Sequence, residues 1–251
     1  MSSFKILFSN LGYARGISGA LIHHLRYAHR HLYCPPDTQK ASLKQLGELI
    51  RVEDPDLGCF VEIDQGSFSS GGYNQLEMLI NQRYSYFDIE NKYGEVSYLR
   101  SFFMTKGKSN AFVAKQPWPY EKLFFRHGSK RLVYKIILAQ NLTLFFSHFS
   151  LSRQVRHRQL HEASSLMKTT KGESVFLGDF NILTGPQELA PLLENGFVLL
   201  NQQQEHTFTF HKRRLMLDLC LCSPAIAGNT FMKIIPQPYS DHAALLLEIK
   251  T

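Results

Sequence analysis

A series of short apolar runs, several of which pass straight into an asparagine, a carboxylate or a histidine, constrains this chain most. The runs cover residues 4–8, 57–61, 111–114, 132–138, 142–146, 175–177, 215–221 and 243–249. Runs of this length between turn residues are read as strands. Helical patterns lie between some of them. Residues 41–53 place Leu43, Leu46, Leu49 and Ile50 on one face and stop at Asp54-Pro55. Residues 73–82 and 153–168 also carry a helical period. Pro186 opens a short helix through residue 194, closed by Asn195-Gly196. Strands and helices alternate early and strands dominate late. That order predicts an α/β or α+β sandwich of two sheets with helices outside. No repeat, low-complexity tract or Gly/Ser linker divides the chain, so one domain over residues 1–251 is expected.

At 251 residues the chain is long enough to bury a sizeable core. Its 28 Lys and Arg exceed its 21 Asp and Glu, for a formal charge of +7. Such an excess attracts polyanions without choosing among them. The opening MSSFKILFSN is read as a first strand, not a signal peptide. No run approaches the roughly 18 apolar residues of a membrane helix, so no stable membrane insertion is expected. Cys59, Cys220 and Cys222 sit inside apolar runs. Together with Cys34 they are expected to be free thiols, the three in runs buried, in a cytoplasmic protein that is a monomer.

The segment at about 11–40 stands apart. It sets Arg15, His23, His24, Arg26, His29, Arg30 and His31 among Leu21, Ile22, Leu25, Tyr27 and Leu32. Residues 17–33 could form a basic amphipathic helix before Pro35-Pro36. Two readings stay open: a helix packed on the sandwich with a solvated basic face, or a lid that binds anions.

Singly, the polar residues at the run ends are ordinary strand-to-loop residues. Asn10 ends FKILFSN, Glu62 ends LGCFVE and His148 lies in LFFSHFS. VFLGDFN is stronger, because an extended backbone points Asp179 and Asn181 the same way. Asp218 interrupts an apolar run and needs a partner. Ser240-Asp241-His242 precedes the last run. Taken together they suit phosphate-ester hydrolysis, which needs charge neutralisation, an activated water and a stabilised leaving oxygen. Glu62, Asp241 and the Asn10 amide offer oxygen ligands to a hard cation such as Mg²⁺ or Mn²⁺. Asp179 can orient or deprotonate the water. His148, His242 and Asn181 can donate to the phosphate, and Asp218 can fix the tautomer of a histidine.

In order and wording these motifs resemble the endonuclease/exonuclease/phosphatase superfamily, the deoxyribonuclease I-like, metal-dependent phosphoesterases. DPDLGCFVEI resembles the family strand that ends in its principal metal-ligating glutamate, here Glu62. NAFVAKQP at 110–117 resembles the sphingomyelinase-like branch. His148 with Arg156 and Gln159 resembles its histidine motif, GDFN matches outright, LDLCLCS at 217–223 resembles the "LDYILVS" strand, and Ser240-Asp241-His242 is the terminal "SDH". The resemblance implies a four-layer sandwich, two packed mixed β-sheets flanked by helices, with the site at one end of the sheets. It departs from abasic-site nucleases, which carry Arg or Trp before the "LDY" segment and a long DNA-probing loop after GDFN. Here Leu215-Met216 precede Leu217, and Pro186 follows Asn181 closely.

The expected activity is therefore a Mg²⁺- or Mn²⁺-dependent phosphoesterase on an anionic phosphate substrate, a phosphodiesterase or nuclease acting on nucleic acid. The alternative is a phosphoesterase of lipid or small-molecule substrates. A non-catalytic binding protein on the same fold is disfavoured, since a bare scaffold has no need of buried carboxylates.

Overall fold

Ile6 and Phe8 point to one side of strand β1 (Ser3–Asn10) and Leu7 to the other, and each side lies under a different hydrophobic layer. The computed structural model describes residues 3–202 and 205–250. One six-stranded sheet runs β13 (Thr230–Ile235), β14 (Ala244–Lys250), β1, β2 (Leu57–Asp64), β4 (Lys108–Ala114) and β3 (Tyr86–Asn91). The other runs β5 (Tyr120–Phe124), β6 (Leu132–Ala139), β7 (Leu142–His148), β8 (Glu173–Asp179), β12 (Asp218–Cys222) and β9 (Val198–Leu199). A separate hairpin pairs β10 (Phe208–Phe210) with β11 (Arg213–Leu215).

The central core lies between the two sheets. Ile6, Phe8, Cys59 and Leu247 of the first meet Tyr134, Phe146, Leu177 and Cys220 of the second. The outer face of the first sheet, with Leu7, Phe60 and Val113, is covered by Leu43, Leu46 and Ile50 of helix α2 (Pro36–Glu53). The outer face of the second, with Phe145, Phe176 and Leu221, packs on Leu160, Ala163 and Met167 of α4 (Arg153–Thr169) and Leu192 of α5 (Ala190–Leu193). This is the four-layer sandwich of two mixed sheets that the motifs imply. Two short helices, α3 (Tyr98–Ser101) and α6 (Pro224–Ala227), lie in connections. All four cysteines are free and buried.

Some local expectations give way. Residues 73–82 form only a 3₁₀ turn at Gln75–Met78, with the Asn74 side chain accepting from Leu76 N. Residues 17–33 do not make one helix. α1 (Leu21–Arg26) ends at Tyr27, and a 3₁₀ turn follows at Ala28–His31. The run 215–221 is split, because β11 ends at Leu215 and β12 begins at Asp218.

Topology brings the run ends together. β1 and β2 are parallel, as are β7 and β8, with α2 and α4 as their crossovers. Parallel strands share the edge at which they end. Asn10 therefore stands beside Val61, and His148 beside Asp179. Antiparallel β12 starts at the same edge, with Asp218 opposite Asp179.

Candidate active site

At that common edge the gap between the sheets is bridged by polar side chains. Asn10 Nδ2, from the first sheet, donates to Asp179 Oδ2 of the second across 2.9 Å. Its Oδ1 accepts from Gly12 N at 3.0 Å. Asp179 Oδ1 accepts from Asn181 N at 3.0 Å. The other bridge joins His242 Nδ1 to Asp218 Oδ2 at 2.7 Å, which fixes that nitrogen as a donor. Asp179, Asp218 and His242 offer ligand-type atoms all within 4.8 Å of one another.

The electrostatics follow from burial and these partners. Burial lifts Asp179 out of the carboxylate range to about 7, against the pull of His242 and with added repulsion from Asp218. Burial alone would lower His242, but Asp218, then Asp179 and Asp241, raise it to about 10. It is an imidazolium at neutral pH, so its Nε2 carries a proton and the 3.4 Å approach of Asn10 Nδ2 is not a hydrogen bond. Burial and then Lys130 push His148 well below its ordinary value. The neutral ring turns Nε2 to the Lys130 ammonium. Its Nδ1 lies 3.6 Å from Glu62 Oε1 and, among the described residues, has no hydrogen-bond partner.

Local backbone geometry aims these groups. β2 and β4 slip register between Val61 and Ile63, and Glu62, the bulged residue, takes φ +54°. Asn181 stands at φ +51° and donates its side-chain amide to Phe149 O at 2.9 Å. Non-glycine residues in this region cost roughly 1–2 kcal/mol each and persist where their surroundings hold them. Gly178 of GDFN is required by crowding, since a Cβ there would meet Ser147 O at 2.5 Å.

The expected residues thus fall in one place. Asn10, His148, Asp179, Asp218 and His242 are joined directly, Asn181 braces Asp179, and Glu62 lies beside His148. Asp241 borders a cavity of about 240 Å³ with Ser18, Gly19, Thr207 and His242. The 11–40 segment forms part of this rim. Gly19 O accepts from His211 N at 2.7 Å, and the His24 and Phe210 rings stand 4.7 Å apart.

The donor set suits a hard cation. Glu62 meets its cationic neighbours through Oε1: Lys92 at 3.4 Å and Lys130 at 4.0 Å. Among the described residues Oε2 has no donor, and Asp241 has only its own backbone N–H. Burial raises Asp241, with Glu62 among the groups repelling it. Two carboxylates with free oxygens are ligand chemistry of the kind Mg²⁺ or Mn²⁺ takes with its waters.

Four neighbours escaped the sequence reading: Tyr13, Lys92, Lys108 and Lys130. Lys108 and Lys130 flank apolar runs as the acidic residues do, and that was their only signal. Lys92 follows β3, whose half-exposed pattern marks nothing. Gln159 explains how Lys130 is held, donating to Lys130 O at 2.7 Å and His127 O at 2.9 Å.

The profile of the endonuclease/exonuclease/phosphatase family matches residues 28–242. The chain belongs to that family. Its enzymes are phosphoesterases, generally dependent on divalent metal ions. Among solved structures, an endonuclease/exonuclease/phosphatase from Beutenbergia cavernae is 12% identical, with 100% of this chain and 72% of that one covered and a TM-score of 0.69. A humanized D. rerio TDP2 is 14% identical over 100% of both chains, with a TM-score of 0.66. The endonuclease domain of the retrotransposon TRAS1 is 13% identical over 99% of both, with a TM-score of 0.61. At these identities the likeness is one of fold. A search of curated proteins finds no match. Among the described residues no helix is long and apolar enough to cross a membrane.

Proposed function

We propose that this chain is a Mg²⁺- or Mn²⁺-dependent phosphodiesterase that hydrolyses nucleic acid. One observation carries the reaction class. Asp179 is a buried carboxylate lifted to about 7, held by Asn10 and the Asn181 N–H, and facing an imidazolium fixed by Asp218. A base with that affinity takes a proton from water near neutral pH.

In this reading Glu62, Asp241 and Asn10 would hold the cation, which when bound would neutralise phosphoryl charge and polarise the ester. Asp179 receives the proton as the water oxygen bonds to phosphorus. His242 donates from Nε2 to a phosphoryl oxygen while Asp218 keeps the ring oriented. Lys130, anchored through Gln159, adds positive charge beside His148 as charge builds on the departing oxygen.

Nucleic acid is supported by an aromatic surface. Tyr33, Phe68, Phe103, Phe102 and Tyr98 form a chain of rings with successive centroids 6.2, 5.7, 4.8 and 5.7 Å apart. All but the half-buried Phe102 are exposed, and exposed rings on a basic protein are platforms for unpaired bases. A D. rerio TDP2 of the same fold has been solved with a single-strand DNA product. A second reading, a lipid phosphoester, draws on the exposed aliphatic side chains Ile22, Leu25 and Leu32. The test is purified protein with Mg²⁺ against single-stranded and duplex DNA, RNA, sphingomyelin and inositol phosphates. Cleavage of an oligonucleotide that is lost in Asp179→Asn is expected; turnover confined to the lipid supports the second reading, and turnover of none overturns both.

A further inference from the structure

Directly after Asn10 the backbone makes a left-handed turn, with φ of +50°, +59° and +53° at Gly12, Tyr13 and Ala14. Strain of this kind at two consecutive non-glycine residues is kept where the surroundings fix it, often at a ligand site. The turn drives the Tyr13 ring inward, and cations collect around it. Lys108 Nζ lies 3.8 Å and Arg15 Cζ 4.7 Å from the ring centroid, and Lys92 Nζ donates to the Tyr13 hydroxyl.

The charges in this cluster do not balance. Arg15, Lys92, Lys108 and Lys130 face Glu62 and Asp64. Glu62 is shared by Lys92 and Lys130. Asp64 is engaged by the N–H groups of Gly66 and Ser67 and the hydroxyls of Ser67 and Ser70. Among the described residues no carboxylate comes within 4.0 Å of the Lys108 ammonium or the Arg15 guanidinium. Lys108 is nevertheless only 9% exposed. Burying an ammonium without a counter-charge is costly, and cation–π contact with one tyrosine returns only part of that cost. The burial of Lys108, its approach to Tyr13 and the neighbouring guanidinium together describe a cradle for oxyanions.

We propose that Tyr13, Arg15, Lys92 and Lys108 bind a terminal phosphate, a phosphomonoester at the end of the nucleic acid, next to the ester being hydrolysed at Glu62 and Asp179. The idea rests on the phosphodiesterase reading above. A diester phosphate carries one negative charge, which His242 and Lys130 already address. A monoester carries close to two charges and three terminal oxygens, matching the two unpaired cations and the phenol. Lys92 links the two positions, since it touches both Tyr13 and Glu62.

Calorimetric titration of metal-free protein with inorganic phosphate tests the subsite without turnover. Wild type should bind, Arg15→Gln and Lys108→Gln should each weaken binding about tenfold, and Lys108→Arg should retain it. Circular dichroism checks folding; should Lys108→Gln not fold, Arg15→Gln, a change at a partly exposed side chain, carries the comparison. The second measurement is kcat/KM on oligonucleotides ending in 5′-phosphate, 3′-phosphate or hydroxyl. Wild type should favour one phosphorylated end by about tenfold or more, and the preference should collapse in the variants. Equal phosphate affinity in wild type and variants, or equal rates on all three ends, overturns the subsite and leaves the phosphodiesterase reading intact. If no oligonucleotide is cleaved, that reading fails, and the phosphate titration still decides whether the cradle exists.

Discussion

Asn10 and Asp179 lie 169 residues apart in sequence, one on each sheet, and are joined by a 2.9 Å hydrogen bond from Nδ2 to Oδ2 across the mouth of the sandwich. With His242 and Asp218 forming the parallel link at 2.7 Å, the site is a seam between the two sheets. Chemistry and sheet docking therefore share residues.

Asp179→Asn should separate the two roles. The amide oxygen can still accept from Asn181 N, but its NH2 then meets Asn10 Nδ2 as a second donor, and the group cannot take a proton. Turnover should fall roughly a hundredfold or more, while loss of the Asn10 bond should cost the fold only about 1 kcal/mol. Single-turnover kinetics beside a thermal melt checks this, and near-wild-type turnover would sink the assignment of Asp179 as base.

Glu62→Ala and Asp241→Ala should each weaken Mg²⁺ or Mn²⁺ binding, because each removes a hard oxygen donor. Calorimetry reads this directly. Unchanged affinity in both variants would place the cation elsewhere, with the Asp179, Asp218 and His242 group as the next candidate.

Much of this was legible because the fold makes local sequence carry global position. Short apolar runs located β1, β2, β7, β8 and β14; the parallel pairs brought Asn10, Glu62, His148 and Asp179 to one edge, and antiparallel β14 starts from that edge just after Asp241 and His242. Features built by long-range packing left no trace in any window. The strain at Tyr13 comes from its surroundings, and Lys92 reaches Glu62 only because β3 docks on β4. The helical period at 73–82 was outweighed by demands from elsewhere. Gln75 is drawn inward there, donating to Tyr13 O and Gln39 Oε1 at 2.7 Å each, and a longer helix does not form. The run 215–221 looks like one strand because Leu215, Met216 and Leu217 carry the apolar character up to Asp218, across the stretch where the backbone leaves one pairing and enters another. Thr207 holds that break, its hydroxyl accepting from Leu217 N and Asp218 N.

The thiols should be inert in native protein. Burial pushes Cys59 and Cys220 well above the ordinary thiol range, raises Cys34, and lifts Cys222 to about 11. The reactive thiolate is therefore scarce below about pH 9. Ellman titration at pH 8 should find little reaction until denaturant is added. Rapid labelling of Cys220 and Cys222 without unfolding would contradict their burial between the sheets.

The last expectation concerns Arg156 and Glu188, which hold the loop after GDFN against α4. Arg156 is almost fully buried, and its Nε and Nη2 donate to Glu188 Oε2 at 2.9 and 2.5 Å. Nη1 donates to Ser150 O and Leu151 O, and Glu188 Oε1 accepts from Thr184 N and Oγ1. Burial alone would raise Glu188, but Thr184 and Arg156 outweigh it and hold the carboxyl below its ordinary range. A carboxylate whose folded pKa is depressed stabilises the fold above its unfolded pKa, about 4.3, and that contribution is lost as pH falls through the folded value. Glu188→Gln leaves a buried guanidinium without its counter-ion, which should cost about 3 kcal/mol at pH 7. As pH falls below the unfolded value toward the lowered folded one, the wild-type carboxyl loses this advantage and is itself protonated, so the gap between the two proteins should narrow. Urea denaturation of both from pH 7 down to about pH 3 measures that gap. A gap that stays constant over the range would mean that packing of the Glu188 side chain, and not its charge, secures the loop.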